Sequence, residues 1–223
     1  MRIACIGYRK WSLNIYDALA GSLDHTFLII RSKSQYSEEA ILNFDPDIIL
    51  FYGWSWIVSE KIIEKYKCLM LHPSPLPKYR GGTPIQNQII NGEQHSMVTI
   101  FLMNKKLDSG DIVDQKYLSL EGNIQDIFLR MEKIGLLMTL NILKSFPEPR
   151  KQRDSDATHY TRRTIEQGEL TIEELEKKDS KYLYNKIRML TYPYPNAYIR
   201  TIDNKFLLIK DVELVNDLQK NNS

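Results

Sequence analysis

Residues 47–72 read DIILFYGWSWIVSEKIIEKYKCLMLH, and this stretch decides the fold. Asp47 to Tyr52 is strand-like, and its unbroken apolar run Ile48-Ile49-Leu50-Phe51 is the pattern of a strand buried on both faces of a sheet. Val58 to Tyr66 carries apolar residues at helical spacing, and Lys67 to Leu71 is strand-like again. A strand, a helix and a second strand in so short a span form a βαβ unit, whose strands must lie parallel.

The same rhythm extends toward the N-terminus. Arg2 to Ile6 reads as a strand, Leu13 to Leu23 as a helix, Thr26 to Ile30 as a strand and Ser37 to Phe44 as a helix. The first half is therefore α/β, with a mostly parallel sheet and helices on both faces. Beyond Pro84 the rhythm changes. Ile85 to Ile90 predicts a helix stopped at Asn91-Gly92. Met97 to Met103 and Ile112 to Leu118 predict strands joined by the polar stretch Asn104 to Asp111, a β-ribbon with a functional loop. Ile127, Met131, Ile134, Met138 and Ile142 recur at helical spacing within a long helix, Ile124 to Phe146.

Phe146 to Arg163 is rich in Pro, Arg, Lys, Asp and Ser and reads as a connecting segment. A helix near Ser180 to Met189 and a hairpin from Ala197 to Ile209 follow, with the turn-rich Tyr192-Pro193-Tyr194-Pro195-Asn196 between them. The organisation expected is a core domain at 1–150, a connecting segment with a small α+β appendage at 151–215, and a flexible tail at 216–223. The 223 residues suffice for one core domain plus an appendage and not for two full-sized domains.

Thirty Lys and Arg stand against 28 Asp and Glu, a net charge of +2. So even a balance gives no footing for a nucleic-acid or membrane-surface partner. Cys5 and Cys68 sit in apolar strand-like runs, two thiols make no disulfide framework, and no Cys/His spacing suits a metal. No apolar run approaches membrane-spanning length and the N-terminus is strand-like, so a soluble, cytoplasmic protein is expected.

The chemistry concentrates in residues 68–84, CLMLHPSPLPKYRGGTP. His72 falls at the carboxyl end of a predicted parallel strand, ahead of a Pro/Gly-rich loop and a helix. Ligands of open α/β sheets bind beyond the strand ends, and a histidine there can take or give a proton near neutral pH. Position alone leaves open whether His72 is such a base or a structural strand-end residue.

This run resembles the Asn-x-His-x-Ser-x-Leu-Pro-x-x-Arg-Gly signature of the folate-dependent formyltransferases. Leu107-Asp108-Ser109-Gly110-Asp111-Ile112 is similar to their Asp-x-Gly-Asp-Ile loop, with Gly92 and Val98-Thr99-Ile100 matching between the two. Ile187-Arg188-Met189 and Tyr192 to Tyr198 resemble the family's C-terminal Pro-Tyr-Pro segment, so the likeness runs from Arg2 to Val212. It implies a Rossmann-like formyltransferase fold at 1–150 and 10-formyltetrahydrofolate as formyl donor. His72 would accept a proton from the attacking amine, and Asp108 would hold the imidazolium by its negative charge. The family's third catalytic residue, an asparagine two positions before the histidine, is replaced here by Met70. An amide donates a hydrogen bond to the oxygen of the carbon under attack, a contact worth about 3–4 kcal/mol of barrier elsewhere. A thioether cannot. Asn104, a backbone N–H or a water could substitute, or activity could be slow or lost.

The resemblance places Ser74, Pro75, Leu76 and Pro77, with Asn104, Lys105, Lys106, Leu107 and Asp108, around the folate. Phe51-Tyr52-Gly53 would close that pocket, with Tyr52 counted as a folate residue. Packing and ligand contact stay equally open for Tyr52, Trp54 and Trp56. The tight loop suggests a cis Leu76–Pro77 peptide. Lys10, Trp11, Tyr79, Arg80 and Gly81 are the candidate acceptor-binding residues, Arg80 through bidentate pairing with a phosphate or carboxylate. For Lys10 a solvated loop is the bland alternative.

Glycinamide-ribonucleotide formyltransferases carry a Gly-x-Gly-Ser-Asn phosphate loop where this chain has Gly7-Tyr8-Arg9-Lys10-Trp11. Methionyl-tRNA formyltransferases continue into a tRNA-binding domain beyond the point where this chain ends. The resemblance is therefore greatest to sugar N-formyltransferases of polysaccharide biosynthesis, and it implies a small-molecule nucleotide-linked amino sugar as acceptor, with no nucleic acid, membrane or metal. A carrier-bound amino acid or ribonucleotide acceptor, a formyltetrahydrofolate hydrolase and an inactive folate-binding homologue are the alternatives. The C-terminal helix and hairpin could serve a homodimer as well as packing.

Overall fold

A computed structural model describes residues 1–217, so the expected tail from 218 onward lies outside the described residues. In chain order the elements are β1 (Arg2–Ile6), α1 (Lys10–Ser22), β2 (Thr26–Ile30), α2 (Glu38–Phe44), β3 (Ile48–Tyr52), α3 (Glu60–Lys65) and β4 (Cys68–His72). There follow β5 (Arg80–Gly81), α4 (Pro84–Ile90), β6 (His95–Leu102), β7 (Ile112–Ser119) and α5 (Ile124–Lys144). The C-terminal part holds β8 (His159–Tyr160), α6 (Ile172–Lys177), α7 (Ser180–Arg188), β9 (Ala197–Arg200) and β10 (Phe206–Ile209).

Six strands form one sheet in the order β2-β1-β3-β4-β6-β7. The first four pair in parallel, and β6 and β7 add antiparallel strands at the edge. The mostly parallel α/β expectation holds, and so does the Rossmann-like arrangement of helices on both faces.

Alternation along the strands assigns each face its partners. Leu69 and Leu71 on β4 pack with Ile15, Leu19, Ile127, Met131 and Met138 of α1 and α5. Cys68 and Met70 point the other way, toward Ile41 and Ile62 of α2 and α3. Every residue of β3 is buried, as its unbroken apolar run requires. A buried Ile or Leu on either face stabilises the fold by about 1.5–3 kcal/mol.

The long helix α5 starts at a capping box. The Asn123 side chain accepts from the Gln125 and Asp126 N–H groups, and the Asp126 carboxylate accepts from the Asn123 N–H. Three donors at the helix start are satisfied, those of Asn123 and Asp126 reciprocally. The C-terminal appendage has its own small core around Leu170, Ile187 and Ala197. Arg188 at the end of α7 docks it, donating from Nη1 to the Leu120 and Gly122 carbonyls at 2.6 and 2.7 Å. On its far side, β10 leaves Phe206, Leu207 and Leu208 exposed.

Among the described residues no helix is long and apolar enough to cross a membrane. Nor does any group of three or more His, Cys, Asp or Glu there stand close enough to hold a metal ion.

Candidate active site

His72 is the last residue of β4 and is 5% exposed. Its Nε2 lies 2.8 Å from the Tyr79 carbonyl oxygen, which can only accept, so Nε2 carries the proton and Nδ1 is bare. Nδ1 faces Asp108, with Oδ2 at 3.7 Å. That gap is wider than a hydrogen bond. It becomes an attractive ion pair once Nδ1 takes up a proton.

Both partners are held by the loops around them. The Gly81 N–H donates to Asp108 Oδ2 at 2.8 Å, and Gln152 Nε2 donates to the Asp108 carbonyl at 3.0 Å. Tyr79 is fixed by its N–H to Thr158 Oγ1 at 2.8 Å and by a ring stacked on Tyr160, centroids 4.8 Å apart. Burial pushes the Tyr79 phenol up to about 12, so it stays protonated and donates to Glu93 at 3.0 Å. Tyr79, Thr83 and Asp108 all adopt left-handed backbone conformations, with φ of 60°, 45° and 50°. Such conformations cost roughly 1–3 kcal/mol each and persist only where surrounding contacts enforce them. Gly81 is left-handed too, and a Cβ there would stand 2.2 Å from the Tyr160 carbonyl oxygen. At Gly82 a Cβ would meet Arg162 at 2.5 Å.

The pair opens on a cavity of about 740 Å³, within the range of small-ligand sites. One wall belongs to the α2/α3 face of the sheet: Phe51, Trp54, Val58, Met70 and Met103, bordered by the loop from Asn104 to Leu107. The other wall belongs to the α1/α5 face: Trp11, Ile85, Phe128, Met131 and Tyr194. His72, Asp108 and Gly81 line the same cavity. Arg9, Arg162 and Arg163 also line the cavity. Arg163 is half-buried, and burial lowers its pKa from the usual arginine value, with Tyr182 and Glu174 acting in the opposite sense.

Residues 24–125 match the Formyl transferase family. The methionyl-tRNA formyltransferase of Clostridium thermocellum superimposes with a TM-score of 0.84 at 30% identity, covering 96% of this chain and 99% of that one. The chain belongs to the formyltransferase family.

Its formyltransferase relatives include the methionyl-tRNA formyltransferase of Ehrlichia chaffeensis, 32% identical over 80% of this chain and 58% of that protein. The chain thus spans about three fifths of the length of such curated relatives. A sugar N-formyltransferase from a Shewanella species shares the fold at a TM-score of 0.75 and 17% identity, over 96% of this chain and 99% of that one. The family uses 10-formyltetrahydrofolate as formyl donor. The exclusion of a nucleic-acid acceptor, argued from even charge, finds no support: three cavity-lining arginines are invisible in a net charge of +2.

Against this formyltransferase site the sequence expectations divide. His72, Met70, Gly81, Trp11 and the loop Asn104, Lys105, Lys106, Leu107 and Asp108 all line the cavity. Leu76–Pro77 is cis, as expected. Tyr52 is displaced from its expected role. It is fully buried, and its phenol pairs with Thr139 of α5 at 3.0 Å. The pleat turns Phe51 and Tyr52 to opposite faces, and on its face Tyr52 is closed into the α1/α5 core.

Ser74, Pro75, Leu76 and Pro77 do not line the cavity. The Ser74 carbonyl accepts from Thr99 at 2.6 Å and the Leu76 carbonyl accepts from Gln115 at 3.0 Å, which ties this loop to β6 and β7. Lys10 opens α1, exposed and away from the lining; the preceding residue, Arg9, lines the cavity instead. Arg80 is 4% exposed and its guanidinium is committed to Gln152 and Asp154. It braces the site and is not free for an anion. Tyr79 likewise acts through its backbone carbonyl, with its ring buried.

The segment Phe146–Arg163, read as a connector, is part of the site. β8 pairs in parallel with β5, Gln152 holds Asp108 and Arg80, and Thr158 holds Tyr79. Two short β strands of two residues each leave almost no periodic signal, so composition dominated the reading. Sequence reasoning also passed over Arg9, Gln86, Gln152, Arg162 and Arg163. Only the Arg162-Arg163 pair, next to the predicted boundary, could have signalled its role.

Proposed function

We propose that this chain transfers the formyl group of 10-formyltetrahydrofolate to the amine of a nucleotide-linked amino sugar. The observation that carries this reading is the buried His72–Asp108 pair lining a cavity whose residues come from both faces of the sheet. The folate, when bound, supplies an activated formyl carbon. Phe51, Trp54, Met103 and the Asn104–Leu107 loop fit its flat ring, with aromatic and apolar surface beside polar backbone. Trp56, Ile57 and Leu107 line the same region and are exposed, so they are available to cover a ligand there.

The acceptor occupies the other wall. As its nitrogen bonds to the formyl carbon, His72 takes the N–H proton at Nδ1. Asp108 holds the resulting imidazolium. When the carbon's bond to its original nitrogen breaks, Nδ1 returns the proton to that nitrogen, so charge and protons balance over the cycle. Arg9, Arg162 and Arg163 suit the phosphates of the nucleotide, since guanidinium groups pair with phosphate oxygens in a bidentate way.

A second reading, methionyl-tRNA as acceptor, draws on the relatives at 32% identity whose printed activity it is. The same arginines would then meet the nucleic-acid backbone. Incubation with 10-formyltetrahydrofolate and dTDP- or UDP-linked amino sugars, methionyl-tRNA or no acceptor separates the readings. Tetrahydrofolate formation dependent on the sugar nucleotide supports the proposal, and dependence on the tRNA supports the second reading. Formate release without an acceptor marks a hydrolase, and binding without turnover marks an inactive homologue. The exposed Phe206, Leu207 and Leu208 of β10 favour a homodimer through this hairpin, which light scattering of the wild type and of Leu207→Glu tests.

A further inference from the structure

Among the described residues, two buried side-chain donors on the cavity lining have no hydrogen-bond partner: Trp54 Nε1 and Gln86 Nε2. They stand in different settings. Trp54 lies in an aromatic cluster with Tyr36 and Trp56 on the wall assigned to the folate. Gln86 lies on α4, whose Ile85 belongs to the opposite wall, and it is 2% exposed.

The two residues that follow Gln86 fix its place. Asn87 Nδ2 donates to the Gly82 carbonyl at 2.9 Å, and Gln88 Nε2 donates to the Pro73 carbonyl at 2.8 Å. These carbonyls lie one residue from Gly81, which holds Asp108, and one residue from His72. Three consecutive polar side chains therefore divide their work, two anchoring α4 to the catalytic loop and one left unpaired. A buried amide without a partner destabilises the fold, whereas an apolar side chain of similar size would fill the place at less cost.

We propose that Gln86 is an acceptor-recognising residue whose amide donates a hydrogen bond to an oxygen adjoining the acceptor's amine. It rests on the formyl-transfer reading above. The oxygen is a ring or neighbouring hydroxyl oxygen in an amino sugar and the ester carbonyl oxygen in an aminoacyl-tRNA. The shared chemistry is an amine with an oxygen acceptor beside it. Gln86 would register the amine against His72 and reject amines that lack that oxygen, since such a ligand leaves the amide unpaired.

The test compares wild type, Gln86→Leu and Gln86→Glu in three measurements. These are the acceptor KM, the kcat, and the Kd for tetrahydrofolate read from tryptophan fluorescence. The acceptors are dTDP- and UDP-linked amino sugars, their analogues lacking the hydroxyl beside the amine, and methionyl-tRNA. The expected result is an acceptor KM about tenfold higher in Gln86→Leu, equivalent to about 1.4 kcal/mol, with the tetrahydrofolate Kd unchanged. The wild type should prefer the hydroxylated sugar over its analogue, and Gln86→Leu should lose that preference. For Gln86→Glu, which replaces the donor by an anion, the acceptor KM should rise further. An unchanged acceptor KM in both variants overturns the role of Gln86 while leaving formyl transfer standing. A raised tetrahydrofolate Kd with unchanged acceptor KM overturns it equally, by moving Gln86 to the folate side. If the wild type formylates neither class of acceptor, the underlying reading fails and this inference falls with it.

Discussion

The two walls of the cavity differ in how they are built. The α2/α3 wall is aromatic and apolar, and Lys105 on its bordering loop is neutralised by Glu60 and Glu64, each at 2.7 Å. The α1/α5 wall combines Trp11, Phe128 and Tyr194 with an unpaired amide and lies next to the Arg162-Arg163 segment, Arg163 being half-buried. One side presents a flat apolar surface, and arginines border the other. On the proposed function, the contrast lets the cavity take two substrates of unlike chemistry over one base.

The strongest way to break this picture is at the His72–Asp108 pair. His72→Ala should lower kcat by about 10³-fold while both substrates still bind, as checked by tetrahydrofolate formation and fluorescence titration. Undiminished turnover in that variant would sink the assignment of the base. Asp108→Asn should cost about 10²-fold in kcat, because the amide keeps the contact with Gly81 and loses the charge that holds the imidazolium.

The walls themselves respond separately. Arg163→Ala should raise the acceptor KM about tenfold, ~1.4 kcal/mol, with the folate Kd unmoved. Trp54→Ala should do the reverse, raising the folate Kd about fivefold and sparing the acceptor KM. If either substitution shifted both constants alike, the division between the walls would be lost. The smallest effect is expected at Met70, which lines the α2/α3 wall. Met70→Asn restores the family's amide and should leave kcat equal or raise it a few-fold, measured by the same assay.

The parallel half of the fold was legible because each strand is a continuous apolar run bounded by polar turns. The β6–β7 ribbon was legible as well, but its antiparallel placement beside β4 and the pairing of β8 with β5 were not, since neither leaves a period in the sequence. His72 and Asp108 were visible through their motifs. Arg80 was misread because its partners Gln152 and Asp154 lie 72 and 74 residues away, and nothing local marks them. Tyr52 was misread for want of one fact, the face on which β3 ends. Gln86 looks like any polar residue in a short helix until the side chains around it are seen to be paired.

Tyr79 contributes a single backbone carbonyl to the site, yet it limits how the histidine can be used. With Nε2 occupied, the imidazole of the proposed reaction would be a one-berth carrier: whatever proton arrives at Nδ1 must depart from Nδ1 before another can board. The nitrogen that gives up a proton and the nitrogen that receives it must therefore visit the same point in turn. On the proposed function, the order of the proton steps is set by the backbone carbonyl that holds the other nitrogen of the ring.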